Sequence, residues 1–191
     1  PICSYFGTCG GCKWQHVDYQ AQLDAKTQSV RESFEHAGGR PDITVHPALG
    51  APQRYHYRNK MEFSFSAGRW LTPEEIASGK EFNTSFALGL HVPGNFAKVL
   101  DLHECHLQSE WSASFVNAVR TFCLDREWTA WHPRKHTGYL RHLVIRQAAN
   151  TDEVMVNLVT SHHDAERMEA MATWLRETAP QVTNFINTIN S

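Results

Sequence analysis

Three cysteines lie within the first twelve residues, at Cys3, Cys9 and Cys12, and a fourth, Cys105, follows far along the chain. The first three form the pattern C-x5-C-x2-C. A C-x2-C pair lets two thiolates reach one metal centre from a single turn. The two glycines between Cys9 and Cys12 remove the Cβ atoms that would block this turn, and they turn backbone N–H groups towards the sulfurs. The spacing therefore predicts metal ligation.

A tetrahedral metal or a cubane cluster requires a fourth ligand, which Cys105 can supply from the junction between a predicted strand and a predicted helix. Iron–sulfur clusters are commonly held by four thiolates, whereas zinc more often uses two C-x2–4-C pairs or a histidine. Only one such pair occurs in the chain, so the spacing favours an iron–sulfur cluster over zinc, and both over free or oxidised thiols. His16, His103 and His106 flank the cysteines and could replace one of the ligands, but we interpret them as hydrogen-bonding neighbours.

Composition and charge exclude several classes of protein. The chain has 191 residues, of which 41% are hydrophobic, and 18 Lys and Arg balance 20 Asp and Glu to a net charge of −2. Bulk charge therefore does not predict binding to nucleic acid or to a membrane surface. The apolar runs fall short of the roughly 20 residues that span a membrane, and no secretion signal opens the chain. We expect a cytoplasmic protein without a membrane partner, and a monomer by default.

The cysteine count is odd, at five, and does not fit a disulfide framework. Cys123 lies within an amphipathic helical pattern, and we interpret it as a small buried hydrophobic residue. The remaining four are more typical of metal ligation in a reducing compartment.

Apolar periodicity predicts the elements that must position these residues. On 59–67, for example, Met61, Phe63 and Phe65 alternate with Glu62 and Ser64, as on a half-buried strand. An exposed excursion is predicted over 70–80. The predicted helices cover 16–37, 107–127 and 164–178, and the predicted strands cover 43–49, 59–67, 84–92, 96–101, 139–148, 153–160 and 182–189. This order predicts an α+β fold, with a mainly antiparallel sheet covered by helices and an N-terminal cysteine-rich cluster-binding loop.

Two segments interleave basic and aromatic side chains, in the mixture that RNA-binding proteins use for phosphate contacts and base stacking. One runs from Arg54 to Lys60 and the other from Trp131 to His142. Both adjoin predicted strands, so their basic side chains could share one surface. The alternative is that they are solvated loop tips and charges on a strand face.

Several segments resemble a known family. Residues 6–16, F-G-x-C-G-G-C-x-W-Q-H, resemble the cluster-binding loop of bacterial RNA uracil-5-methyltransferases that carry a [4Fe–4S] cluster, and the 23S ribosomal RNA enzymes are the most similar. Residues 57–60, Y-R-N-K, resemble a strand of that family. Residues 101–108 resemble the segment with its fourth cluster ligand, and residues 140–146, L-R-H-L-V-I-R, resemble another strand. The resemblance covers essentially the whole chain, in order.

The resemblance implies a set of site residues and partners. The [4Fe–4S] ligands would be Cys3, Cys9, Cys12 and Cys105. RNA, of the ribosomal type, would be contacted by Arg58, Lys60, Arg141 and Arg146. The full-length enzyme would use S-adenosylmethionine to form 5-methyluridine.

Parts of the family pattern are not found in this chain. An OB-like domain normally precedes the cluster loop, and a Rossmann-like domain with the S-adenosylmethionine site and the catalytic cysteine normally follows. We therefore expect a fragment that is itself inactive, and we assign no catalytic residue. The expected division is 1–40 for the cluster loop and helix, 41–181 for a central RNA-recognition domain, and 182–191 for the start of the methyltransferase domain.

Two other hypotheses remain open on the sequence. A zinc-stabilised RNA-binding module without enzymatic activity would contain zinc and no inorganic sulfide. A small electron-transfer protein is a third hypothesis, although the long α+β body with its basic and aromatic strands is not required for that function.

Overall fold

A computed structural model describes residues 1–191, and a seven-stranded sheet forms its centre. The helices are α1 (Tyr19–Glu32), α2 (Pro73–Ala77), α3 (Glu110–Asp125) and α4 (Ala165–Thr178), with a π-helical turn at Ser33–Ala37 after α1. The strands are β1 (Lys60–Ser66), β2 (Arg69–Trp70), β3 (Ala87–Val92), β4 (Asn95–Asp101), β5 (Leu140–Gln147), β6 (Val154–Thr160) and β7 (Asn184–Ile189). Their order is β2-β4-β3-β1-β5-β6-β7. The pairs β2–β4 and β6–β7 are parallel and the others antiparallel. The predicted mixed fold with a mainly antiparallel sheet is confirmed.

The two faces of the sheet differ in chemistry. Met61, Phe63 and Phe65 of β1 belong to a cluster of 24 buried hydrophobic residues that includes Phe115 of α3 and Met171 of α4. The other face carries the alternate side chains of β1 and β5, which are exposed at Lys60 and Arg146 and buried nearer its middle at Ser64. We call it the open face. The sheet therefore packs one face on the core and presents charged side chains on the other.

The predicted strand over 43–49 is wrong. This segment has no strand partner and instead lies along α1, where the Ala48 amide donates to Thr27 Oγ1 at 2.9 Å and the Ala51 amide to Tyr19 Oη at 2.7 Å. An alternating apolar pattern forms a strand only if a sheet edge takes up its backbone hydrogen bonds. Here Thr27 of α1 accepts one of them, and the hydrogen bond from Ala51 to Tyr19 lies just beyond the segment.

The predicted excursion over 70–80 contains regular structure. It includes the end of β2 and the short helix α2, which begins at a capping box formed by Thr72 and Glu75. The sequence T-P-E-E carries this signal, with a hydroxyl at the N-cap, proline at the first helical position and glutamate at the third.

The helix predicted over 16–37 is formed by α1 and the π-helical turn, but none of its residues is fully buried. None of the helices combines the length and the apolar character that a membrane crossing would require.

Candidate functional site

Residues 1–15, which we call the cysteine loop, pack against the segment that holds Cys105. The Ser4 amide and hydroxyl both donate to Glu104 Oε1 at 2.8 Å, and the His103 amide donates to Tyr5 Oη at 3.2 Å. Cys105 is therefore held beside the cysteine loop by its two preceding residues.

The four predicted ligands meet in one place. Cys3, Cys9, Cys12 and Cys105 are all half-buried and free of disulfides, and they line one cavity of about 20 Å3 with Leu90, Leu102 and other apolar residues. That volume is about the room that one water molecule needs, so the side chains close on one another. No group of three or more His, Cys, Asp or Glu side chains is arranged to hold a single metal ion.

Burial controls the acidity of two of these thiols. It raises the pKa of Cys9 to about 11 and also raises the pKa of Cys3, and the other thiols nearby add to both effects because thiolates repel one another. The Gly11 amide donates to Cys9 Sγ at 3.4 Å, which acts in the opposite direction. In the absence of a cation these two groups are therefore neutral thiols at neutral pH.

A glycine allows the cysteine loop to reach the sheet. The Gly10 amide donates to the His91 carbonyl oxygen at 3.1 Å, and a Cβ on Gly10 would lie 2.8 Å from that same oxygen. Any side chain at this position would push the loop away from the end of β3.

The segment 54–58 is anchored to the residues that follow Cys105. The His56 amide donates to the His106 carbonyl oxygen and the Arg58 amide to the Leu107 carbonyl oxygen, both at 2.8 Å. The His56 ring also lies 2.7 Å from the Gln108 carbonyl oxygen through Nδ1. The site of the cysteines and the first basic and aromatic segment are consequently one connected structure.

Two of the predicted RNA-binding residues are neighbours on adjacent strands of the open face. Lys60 of β1 is in register with Arg146 of β5, and both are exposed. Like charges placed directly opposite on neighbouring strands are destabilising. The partial compensation is a Lys60–Glu62 pair at 3.8 Å, with both side chains about half exposed.

Arg141 is set apart from that pair. Its Nη1 donates to the Asn190 carbonyl oxygen at 2.7 Å, and its guanidinium stacks 4.2 Å from the centre of the Trp131 ring. Its side chain is therefore engaged by the protein itself, and the structure brings together Lys60 and Arg146 but not Arg141.

Two grooves open beside the cysteine loop. The aromatic groove, of about 610 Å3, lies between this loop, the start of α1 and residues 51–58. The sheet groove, of about 620 Å3, lies between the loop, the start of β1 and the end of β3. Lys13 and Arg58 line both grooves, so the two are continuous there. Lys60 lines the sheet groove.

A polar network on the open face was not predicted from the sequence. Ser64 Oγ lies 2.9 Å from His91 Nε2 and 3.3 Å from His142 Nδ1, and the same nitrogen of His142 lies 3.8 Å from Glu62. Its signal in the sequence was the set of polar residues at alternate positions of β1, which only the register with β5 and β3 joins to the histidines.

The network predicts a loss of stability in acid. Burial lowers the pKa of His142 below its ordinary value of 6.5; Arg141 and His91 act in the same direction, and Glu62 opposes them. Neutral His142 therefore contributes to the free energy of unfolding above pH 6.5. This contribution is lost as the pH falls through the lowered pKa of the folded state. We expect His142→Gln to reduce the drop in unfolding free energy between about pH 7 and about pH 5, measured by urea denaturation. The exposed His163→Gln is the control, and parallel curves for wild type and His142→Gln would contradict the prediction.

Comparison with known proteins places this chain among homologues named as RNA methyltransferases. No family model matches it. It is 44% identical over 95% of its length to an uncharacterized RNA methyltransferase of Chlorobaculum tepidum, and 38% identical over its whole length to one of Porphyromonas gingivalis. The chain spans 38% and 42% of the length of these two relatives.

A solved structure has a similar fold. The tRNA (uracil-54, C5)-methyltransferase of Pyrococcus abyssi, in complex with S-adenosyl-L-homocysteine, matches 82% of this chain with a TM-score of 0.59. The match covers 32% of that enzyme, at 23% sequence identity, and concerns the fold.

Proposed function

We propose that this chain is the cluster-binding and central RNA-recognition region of an S-adenosylmethionine-dependent RNA uracil-5-methyltransferase that forms 5-methyluridine in 23S ribosomal RNA. The observation that carries the proposal is homology over 95% of the chain to proteins named as RNA methyltransferases. A uracil-5-methyltransferase with a similar fold supports uracil C5 as the target.

In this proposal Cys3, Cys9, Cys12 and Cys105 hold a [4Fe–4S] cluster in a reducing, cytoplasmic compartment. The support lies in the donor set, since four thiols line one largely apolar cavity. The cluster would supply iron–thiolate bonds that tie the cysteine loop to Cys105. Methyl transfer to C5 of uracil needs a nucleophile and a sulfonium donor and no electron transfer, so we assign the cluster a structural role.

RNA phosphates would bind first at Lys60 and Arg146, and then at Arg58 where the two grooves join. Phosphate contacts fix the position and direction of the strand, whereas bases are recognised separately. Lys60 and Arg146 lie where a phosphate would relieve their mutual repulsion. Arg141 is a weaker member of this set because its guanidinium already has partners.

The methyl donor and the catalytic groups belong, in this proposal, to the part of the protein outside residues 1–191. The two relatives are more than twice as long as the matched region. Within the chain we propose the cluster loop and helix at 1–40 and the central domain at 41–181. Residues 182–191 would lead into the methyltransferase domain while contributing β7 to the sheet.

The test is methyl transfer by the full-length protein. The full-length protein is incubated with radiolabelled S-adenosylmethionine and either unmodified 23S ribosomal RNA or unmodified transfer RNA. The nucleosides of each RNA are then identified by mass spectrometry. We expect 5-methyluridine in the ribosomal RNA only. Product in transfer RNA only would overturn the ribosomal assignment, and no methylated uridine in either RNA would overturn the proposed function.

A further inference from the structure

Two large aromatic side chains stand exposed in the aromatic groove. Trp14 is 45% exposed and Tyr57 is 57% exposed. Neither ring packs against another aromatic ring or a cation. Exposed rings in a groove rimmed by polar groups mark a binding surface more often than scattered surface hydrophobics do.

The wall of the groove is held in place by the protein itself. The Val17 amide and the Gln22 side chain both donate to the Trp14 carbonyl oxygen, at 3.0 Å and 3.1 Å. Across the groove, the Arg54 guanidinium lies 4.3 Å from the centre of the Tyr19 ring, whose hydroxyl accepts a hydrogen bond from Ala51. A ligand would therefore meet a surface that needs little ordering, which favours affinity.

The charge of the groove is strongly positive in a chain whose net charge is −2. Lys13, Lys26, Arg54 and Arg58 line it, against the single carboxylate of Asp18. None of these four cations forms an ion pair. The Asp18 carboxylate is already used, since it accepts a hydrogen bond from the Gln20 amide at the start of α1. The groove thus offers cations without carboxylate partners beside two aromatic rings without stacking partners.

From these observations we propose that the aromatic groove binds a single-stranded segment of RNA, with unpaired bases stacked on Trp14 and Tyr57 and phosphates held by Lys13, Arg54 and Arg58. The proposal rests on the proposed function and deepens it, because it specifies unstacked RNA as the form recognised beside the cysteine loop. Base stacking on aromatic rings next to cations is the general means of binding single strands.

Size and continuity support a single strand. The groove volume of about 610 Å3 lies within the range of roughly 300–1,000 Å3 typical of sites for small ligands, a size that suits individual splayed nucleotides. Because Lys13 and Arg58 line both grooves, a strand can pass from Lys60 on the open face into the aromatic groove without leaving the positive surface.

The experiment compares alanine and conservative variants in the full-length protein, purified without oxygen. The probe is a fluorescein-labelled single-stranded RNA of about ten nucleotides, and its Kd is measured by fluorescence anisotropy. We expect Trp14→Ala and Tyr57→Ala each to weaken binding by about tenfold to a hundredfold. Trp14→Phe and Tyr57→Phe should stay within about threefold of wild type, because a stacking ring is retained.

The matched control is Phe96→Ala, which removes an aromatic ring that is 69% exposed on β4, outside both grooves. Its Kd should equal that of wild type, and the same RNA annealed to its complement should bind less tightly than the single strand. Unchanged Kd values for both Trp14→Ala and Tyr57→Ala, or equal binding of duplex and single strand, would overturn the proposal.

The design separates this proposal from the proposed function. If wild type methylates RNA while both alanine variants bind the probe normally, only the proposal for the aromatic groove is overturned. If wild type binds the probe through Trp14 and Tyr57 but transfers no methyl group, only the proposed function is overturned. Tyr57 lies outside the cysteine loop, so Tyr57→Ala decides the outcome if Trp14→Ala lowers the iron content.

Discussion

The Cys105→Ser variant of the full-length protein, purified without oxygen, is expected to lose most of its iron and sulfide. Wild type would carry about four iron and four sulfide per chain. A serine oxygen is a much poorer ligand for a cluster than a soft thiolate. The measurement is iron, acid-labile sulfide and zinc content per chain. RNA affinity should fall as well, because residues 106–108 anchor the backbone of segment 54–58.

Cys123→Ala is the control for the removal of a cysteine. Cys123 is fully buried in α3 within the main hydrophobic cluster, away from the cavity of the other four, and burial raises its pKa. This variant should keep its iron and sulfide. Full iron content in Cys105→Ser would remove Cys105 from the ligand set. One zinc and no sulfide in wild type would contradict the cluster and favour the zinc-stabilised module.

The double variant Lys60→Gln/Arg146→Gln is expected to change RNA affinity and stability in opposite directions. Affinity should fall by at least about tenfold, because two charge-assisted hydrogen bonds to phosphate are removed. The slope of log Kd against log salt concentration should fall by about 2, one for each phosphate that the variant no longer neutralises. Stability should stay the same or rise by about 0.2–1 kcal/mol, since a like-charged pair in register is relieved.

Filter binding between about 50 mM and 200 mM salt measures the first two quantities, and urea denaturation measures the third. Arg176→Gln is the matched control, because this exposed arginine of α4 pairs with Glu169 and lines neither groove. It should leave the salt slope unchanged. A wild-type slope in the double variant would show that Lys60 and Arg146 do not bind phosphate.

Local periodicity predicted the elements that the core requires. β1 was predictable because Met61, Phe63 and Phe65 alternate, and this alternation follows directly from the pleat of a strand. α3 and α4 were predictable from apolar residues at helical spacing. The segment 43–49 carried a comparable pattern, yet it finds no strand partner, and Thr27 of α1 accepts the hydrogen bond from its Ala48 amide.

In the candidate site, too, local spacing was readable from the sequence whereas long-range contacts were not. The spacing of Cys9 and Cys12 already indicated a shared centre, because both thiols can turn inward from one tight loop. That Cys105 lies beside them depends on contacts between residues about a hundred positions apart, such as Ser4 with Glu104. Arg141 and Arg146 look equivalent in the sequence, but Trp131 and Asn190 engage only Arg141.

Most elements of the sheet and helices, the cysteine loop, and the basic and aromatic segments were readable from the sequence, because backbone geometry imposes such patterns over a few neighbouring positions. Which side chains share one place was decided by the folded chain: Lys60 is in register with Arg146, Ser64 contacts two histidines, and Trp14 and Tyr57 line one groove. Strand order and register depend on long-range pairing, and a shift of one residue would turn Lys60 to the other face of the sheet.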